Sequence, residues 1–148
     1  MVVKVCSLSE DHQKEAVENE RRILKKLAKS AHVAHLEEDF IDTDNKKAYL
    51  VLERAGDLSL EQLVQQSPQG LTLEQVKIVS KQLCAAVENL YDNLIVHRDI
   101  KPDNIIMTLP ELSLKLIDFN VAHDLAVCPE IKGACGVRAF SAPETRSF

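Results

Sequence analysis

HRDIKPDNIIMTLPELSLKLID, residues 97–118, is the stretch on which the rest of the sequence turns. Its two apolar runs, Ile105–Thr108 and Leu114–Ile117, flank a turn-like segment containing Pro110 and Ser113, the pattern of a β-hairpin. In an antiparallel pair the start of the first strand lies beside the end of the second. Asn104 and Asp118 are therefore expected side by side at the open end, with Asp99 and Lys101 on the polar loop just before. Hard oxygen ligands of this kind suit Mg²⁺, which is usually held by one or two carboxylates plus substrate phosphates.

The flanking chain reads as scaffold. Val2-Val3-Lys4-Val5 is a short β-branched run whose lysine, taken alone, suits an edge strand. Ser7 and Glu10 form a capping-box pattern that opens a helix running to about Lys29. Glu20 shares the side of its apolar stripe (Val17, Leu24 and Leu27). A carboxylate turned toward a core needs a partner, and Lys4 is the natural one. The alternatives are a solvated Glu20 at the rim of the stripe, or Glu18 in its place after a slip of register. Residues 33–36 and 48–52 read as strands, with a hairpin turn at Asp42–Lys47. Ser59 with Gln62 and Thr72 with Gln75 form two further capping boxes. The second opens a long helix whose stripe (Val76, Val79, Leu83, Val87, Leu90) is expected to be core.

Composition sets outer limits. The 148 residues, 45% hydrophobic and 28% charged, suffice for one domain with a real core. A net charge of -5 argues against nucleic acid or an anionic membrane as main partner. No run approaches a membrane span. The four cysteines are dispersed, without CxxC spacing, and read as reduced thiols of an intracellular, cytoplasmic protein.

The 97–104 stretch resembles the catalytic loop of protein kinases, in its serine/threonine form with Lys101 two residues after Asp99. Asp118-Phe119-Asn120 resembles the DFG triplet, and Ala142-Pro143-Glu144 the APE that closes the activation segment. The resemblance implies an α+β, two-lobed protein-kinase fold: a small-lobe remnant at 1–52, a hinge at 53–57 and a large-lobe fragment at 58–148. It implies ATP and Mg²⁺ as cofactors and a protein substrate with a serine or threonine hydroxyl. Asp99 would be the base and Lys101 would offset charge on the transferred group. Asn104 and Asp118 would hold the metal, and Lys4, held by Glu20, would fix the phosphate chain. Glu53 and Ala55 would present backbone groups to adenine, with Val2 and Ile106 enclosing it and Leu52 at the gatekeeper position. Asp57 would be either a ribose contact or simply a loop aspartate. His97 and Phe119 would stack with Leu24 and Leu36 in a column joining the lobes.

Departures from the family pattern qualify that function. No glycine-rich loop is found, and the sequence ends just after Glu144, so the domain reads as truncated at both ends. Asn120 replaces a glycine at a position expected to need positive φ, a region asparagine tolerates. Val137 stands where the family has a threonine that contacts the catalytic Asp and Lys, and residues 120–140 contain no Ser, Thr or Tyr to be phosphorylated. The sequence therefore implies a serine/threonine kinase fragment that is weak or inactive as an isolated chain. The alternative is a non-catalytic pseudokinase-like nucleotide-binding or scaffold module.

Overall fold

The computed structural model describes residues 1–131, 133 and 135–143; the reading of Glu144 lies outside the described residues. A three-stranded antiparallel sheet of β1 (Val2–Ser7), β2 (Leu36–Asp42) and β3 (Lys47–Leu52), in the order β1-β3-β2, is joined by helix α1 (Asp11–Lys26). After the crossing at 53–57 come the short strand β4 (Leu58–Ser59) and helices α2 (Leu60–Gln65) and α3 (Leu73–Asp92). Strand β5 (Ile95–Val96) precedes the 97–104 loop; β6 (Ile105–Thr108) and β7 (Ser113–Leu116) form the hairpin, and β8 (His123–Asp124) pairs back onto β5. This is the expected α+β, two-lobed architecture. Among the described residues no helix is long and apolar enough to cross a membrane.

Three local expectations change. The N-cap of α1 is Glu10, whose backbone N–H donates to Gln13 Oε1 at 3.2 Å. Ser7 cannot cap because it is still paired with Lys47 in the sheet. The second strand runs from 36 to 42 rather than from 33 to 36. Val33 and Ala34 are apolar because they are buried against the hairpin, where Ala34 N–H donates to the Leu116 carbonyl at 3.0 Å. The acidic Glu37-Glu38-Asp39 run lies on the edge strand β2, where charge is tolerated. In α3, Val79 and Leu90 are buried as expected, but Val76 and Val87 are each 43% exposed. Ala86 takes the inward position that Val87 was expected to hold. The capping boxes at Ser59/Gln62 and Thr72/Gln75 form as read.

The main core runs through both parts, and Val17 packs in a smaller second cluster with Leu8 and Ala48. Ile23, Leu24 and Leu27 of α1 join Val79, Ala86 and Leu90 of α3, the inward residues of the hairpin, and Phe119. Phe119 is fully buried, which contributes about 1.5–3 kcal/mol relative to an exposed side chain. It sits just after Asp118, so the core fixes the end of the hairpin from which Asp118 projects. Gly56 does the same for the crossing segment: a Cβ there would lie 2.6 Å from the Met107 carbonyl oxygen. The chain at 56 thus packs backbone to backbone on β6.

Candidate active site

The hairpin places the polar groups. Its register pairs Ile105 with Leu116, so Asn104 lies opposite Ile117, whose N–H donates to the Asn104 carbonyl at 3.1 Å. Asp118 is one residue further along. Asn104 and Asp118 nevertheless line one cavity of about 540 Å³, together with Val2, Lys4, Glu20, Leu52, Ile106 and the 53–56 segment.

Positive φ falls at Asp118 (65°) and Arg98 (67°), not at Asn120. Sequence reasoning put the strained position two residues late. The turn out of β7 happens at the carboxylate itself, swinging it toward β1 while Phe119 enters the core.

Lys4 is the hub. Its Nζ lies 2.8 and 2.9 Å from the two carboxylate oxygens of Glu20, and 2.8 Å from Asp118 Oδ1. Glu20 is 2% exposed and faces inward as expected. Glu18 is not its rival, because it pairs outward with Arg21 at 2.6 Å. Burial disfavours the charged form of Lys4, but the charges and hydrogen bonds of Glu20 and Asp118 outweigh it and raise its pKa.

Asp99 Oδ2 accepts from Lys101 Nζ at 2.8 Å and from Asn104 Nδ2 at 3.0 Å. The Asp99 hydrogen bond raises the pKa of Lys101. Asn104 Nδ2 also donates to the Asp99 carbonyl at 2.9 Å, which leaves its Oδ1 directed away from these bonds.

His97 supports the loop from inside the core. Its Nε2 donates to the Ile117 carbonyl at 3.0 Å, and its Nδ1 accepts the Asp99 N–H at 3.3 Å. Its ring centroid is 4.6 Å from that of Phe119; Leu24 and Leu36 belong to the same cluster. One donating and one accepting nitrogen require the neutral imidazole. Burial lowers the His97 pKa below its usual 6.5, against the Ile117 hydrogen bond and the charges of Asp99 and Asp118. Below pH 6.5 the unfolded chain takes a proton the native ring refuses, so stability falls as pH drops through that range. Urea titrations across it should show a shallower fall in His97→Phe, which has nothing to protonate, than in the parent.

At the crossing segment, the Glu53 side chain is turned away to Lys115 and His35. Among the described residues, neither the Glu53 carbonyl nor the Ala55 N–H is taken by a protein partner. Asp57 Oδ2 accepts the Leu109 N–H at 2.9 Å, and the residue lines a separate hollow with Glu61 and Asp103, a placement that favours the loop-aspartate reading.

Two features had no visible signal in the sequence. Asp124, 5% exposed, accepts from Lys26 Nζ at 3.1 Å and lies 3.6 Å from Arg22 Nε, tying α1 to the segment after Phe119. Burial alone would raise its carboxyl; the Lys26 hydrogen bond, the Ala126 N–H and both cations outweigh that and hold it below the usual range. Asn19 Nδ2 adds a bond to the Ala122 carbonyl at 2.8 Å. Together these contacts set the rotation of α1 that aims Glu20 at Lys4.

Chemically the cavity has apolar walls (Val2, Ala34, Leu52, Ile106), a free carbonyl and N–H at one end, and a cation with hard oxygens at the other. Its volume lies within the range of small-molecule sites. The donor set fits a purine nucleotide whose phosphates carry a divalent metal.

The protein kinase domain family matches residues 1–146. The chain is 35% identical over 137 residues to the serine/threonine-protein kinase stk11 homolog of Dictyostelium discoideum, covering 90% of this chain and 23% of that protein. It is 34% identical over 130 residues to the ovarian-specific serine/threonine-protein kinase Lok of Drosophila melanogaster, covering 85% and 26%. With cyclin-dependent kinase-like 5 of Mus musculus it is 35% identical over 128 residues, covering 85% and 13%. The chain thus spans about a quarter or less of the length of these relatives. Their names do not favour the scaffold alternative. From the catalytic-loop hairpin, the Lys4–Glu20–Asp118 cluster and the family match together, it follows that this chain belongs to the protein kinase family, whose members use ATP and a divalent metal ion.

Proposed function

We propose that this chain serves as the nucleotide-binding and catalytic part of a serine/threonine protein kinase, transferring the γ-phosphate of Mg²⁺–ATP to a serine or threonine hydroxyl of a protein. The observation that carries the reading is the meeting of Lys4, Glu20 and Asp118 within 2.9 Å contacts, on a cavity shared with Asn104. Residues 1–52 act as the small lobe, 53–57 as the hinge and 58–148 as large-lobe structure.

When bound, ATP supplies the phosphoryl group and Mg²⁺ offsets phosphate charge. The Glu53 carbonyl and the Ala55 N–H hold the adenine edge, and Val2 and Ile106 cover its faces. Lys4, oriented by Glu20, grips the phosphates. Asp118 and Asn104 Oδ1 hold the metal. Asp99 orients and accepts the proton of the acceptor hydroxyl, while Lys101 offsets charge on the transferring group. Positioning and charge neutralisation are what phosphoryl transfer asks of a protein. Val137 offers no hydroxyl to Asp99 and Lys101, so transfer by the isolated chain should be slow. A net charge of -5 agrees with a protein rather than a nucleic-acid partner, and four dispersed cysteines read as reduced thiols support a cytoplasmic location.

Nucleotide-induced thermal shifts test the site. Mg²⁺–ATP at a hundredfold excess over its dissociation constant should stabilise the chain by about 2.7 kcal/mol. Asp118→Ala and Lys4→Ala should each lose most of that shift, whatever their melting temperatures without nucleotide. Undiminished shifts in both would defeat the reading.

A further inference from the structure

Glu53 lines the cavity, and three segments of the chain converge on it. Its backbone N–H donates to the His35 carbonyl at 3.0 Å. One carboxylate oxygen, Oε1, accepts from Lys115 Nζ of β7. The other, Oε2, lies 3.5 Å from Nδ1 of the His35 ring. The same ring sends its Nε2 to the Ser30 carbonyl at 2.9 Å. The loop between α1 and β2, the crossing segment and the hairpin thus meet at a single carboxylate.

Both ring nitrogens of His35 face acceptors. A carbonyl can only accept, so Nε2 carries a proton and donates to Ser30. In the neutral ring, Nδ1 then turns a lone pair toward a carboxylate, and the contact gains nothing. With a second proton it turns an N–H toward the same oxygen, and the contact becomes charge-assisted. The pair is attractive in the imidazolium form alone, and imidazole is the side chain whose ordinary charge change falls within about pH 5–8. The charged groups facing the ring are Glu53, from the crossing segment, and beyond it Lys115, from β7. His32, on the same loop, meets a carbonyl instead, that of Leu114, at 3.3 Å. The His35 and Glu53 side chains are 34% and 21% exposed, so solvent weakens the pair without abolishing it.

We propose that His35 is a proton switch on nucleotide binding: its imidazolium form fastens Glu53 and so steadies the carbonyl that meets adenine. The proposal rests on the nucleotide reading above, and goes beyond it in making affinity depend on a proton held behind the crossing segment. Without that proton, Glu53 keeps its N–H bond to the His35 carbonyl and its pair with Lys115. The switch is therefore graded rather than all-or-none. Linkage makes it reciprocal: the factor by which the proton raises nucleotide affinity is the factor by which nucleotide raises proton affinity.

Adenosine is the probe, because it reaches the adenine end of the cavity and carries no phosphate to titrate. Its dissociation constant, measured by calorimetry on the full chain, should be about fivefold lower at about pH 5.5 than at about pH 8, the low end of coupling between sites across the imidazole range. Any loss of native protein at the lower pH, as expected from His97, works against that direction. His35→Gln can still donate to the Ser30 carbonyl but cannot take a charge. It should match the parent's affinity at the higher pH and lose the pH dependence. Glu53→Gln keeps the backbone carbonyl and removes the charge facing the ring; it should flatten the dependence as well, and it decides the matter if His35→Gln does not fold. His32→Gln should behave as the parent does. Equal affinity of the parent at both pH values overturns the proposal, as does a dependence that survives in His35→Gln or is lost equally in His32→Gln. A parent that binds adenosine at neither pH instead removes the nucleotide reading, and the switch with it.

Discussion

Asparagine in place of Asp99 should cut phosphate transfer by about 10²–10⁴-fold, the usual contribution of a positioned general base, while leaving the Mg²⁺–ATP thermal shift in place. The replacement is nearly isosteric. Its side-chain oxygen can still accept from Lys101 Nζ and Asn104 Nδ2, which both bond to Asp99 Oδ2, so the loop should keep its shape. What disappears is a carboxylate able to take a proton. Radiolabel transfer from ATP to a generic basic protein measures the loss, and the thermal shift shows whether the nucleotide site has survived. Equal transfer by the two proteins would mean that Asp99 is not the base.

The second large effect concerns stability. Lys4→Met should destabilise the fold by about 3 kcal/mol, because removing one partner of a buried ion pair leaves the other charge uncompensated. Glu20 has a side chain only 3% exposed, and its hydrogen-bonded partner is Lys4. The same change strips Asp118 of its contact with Lys4 Nζ. Solvent moderates the loss, since the Lys4 side chain is 30% exposed, which places the expectation at the low end of such cases. By contrast, Arg21–Glu18, with Glu18 66% exposed, should contribute under about 1 kcal/mol. Adding Glu20→Leu to Lys4→Met should restore much of the loss, since an apolar pair of similar volume needs no partner. Urea denaturation of the parent, both single variants and the double variant completes the cycle. A Lys4→Met variant within about 0.5 kcal/mol of the parent would resemble an ordinary surface substitution, and would show the pair to be solvated.

What the sequence revealed, and what it hid, divides along physical lines. The hairpin, the helix caps at Ser59 and Thr72 and the inward face of α1 are set by neighbours close in the chain, and a periodic pattern records such interactions. Lys4, Glu20, Asp99, Asn104 and Asp118 were legible because unusual residue types stand at motif spacing. The course of β2 was not: on an edge strand, Glu37 to Asp39 leave no apolar alternation to read. The N-cap moved from Ser7 to Glu10 because pairing with Lys47, forty residues away, keeps Ser7 in the sheet. The clasp at Asp124 joins it to Arg22 and Lys26, about a hundred positions earlier in the chain. The positive φ at Asp118 likewise comes from packing Phe119 into the core, which no local preference announces.

Among the described residues, the strand that carries Lys4 is paired on one side. β1 pairs with β3 from Val2↔Leu52 to Ser7↔Lys47 and lies at the margin of its sheet. Along such a margin every second amide points outward and should exchange with deuterium early, while the amides facing β3 and those buried in α1 persist. The roof of the cleft can therefore breathe without unfolding the helix that carries Glu20. Each such opening would part Lys4 from Glu20 and Asp118, so under the proposed reading nucleotide entry would be coupled to the fraying of β1.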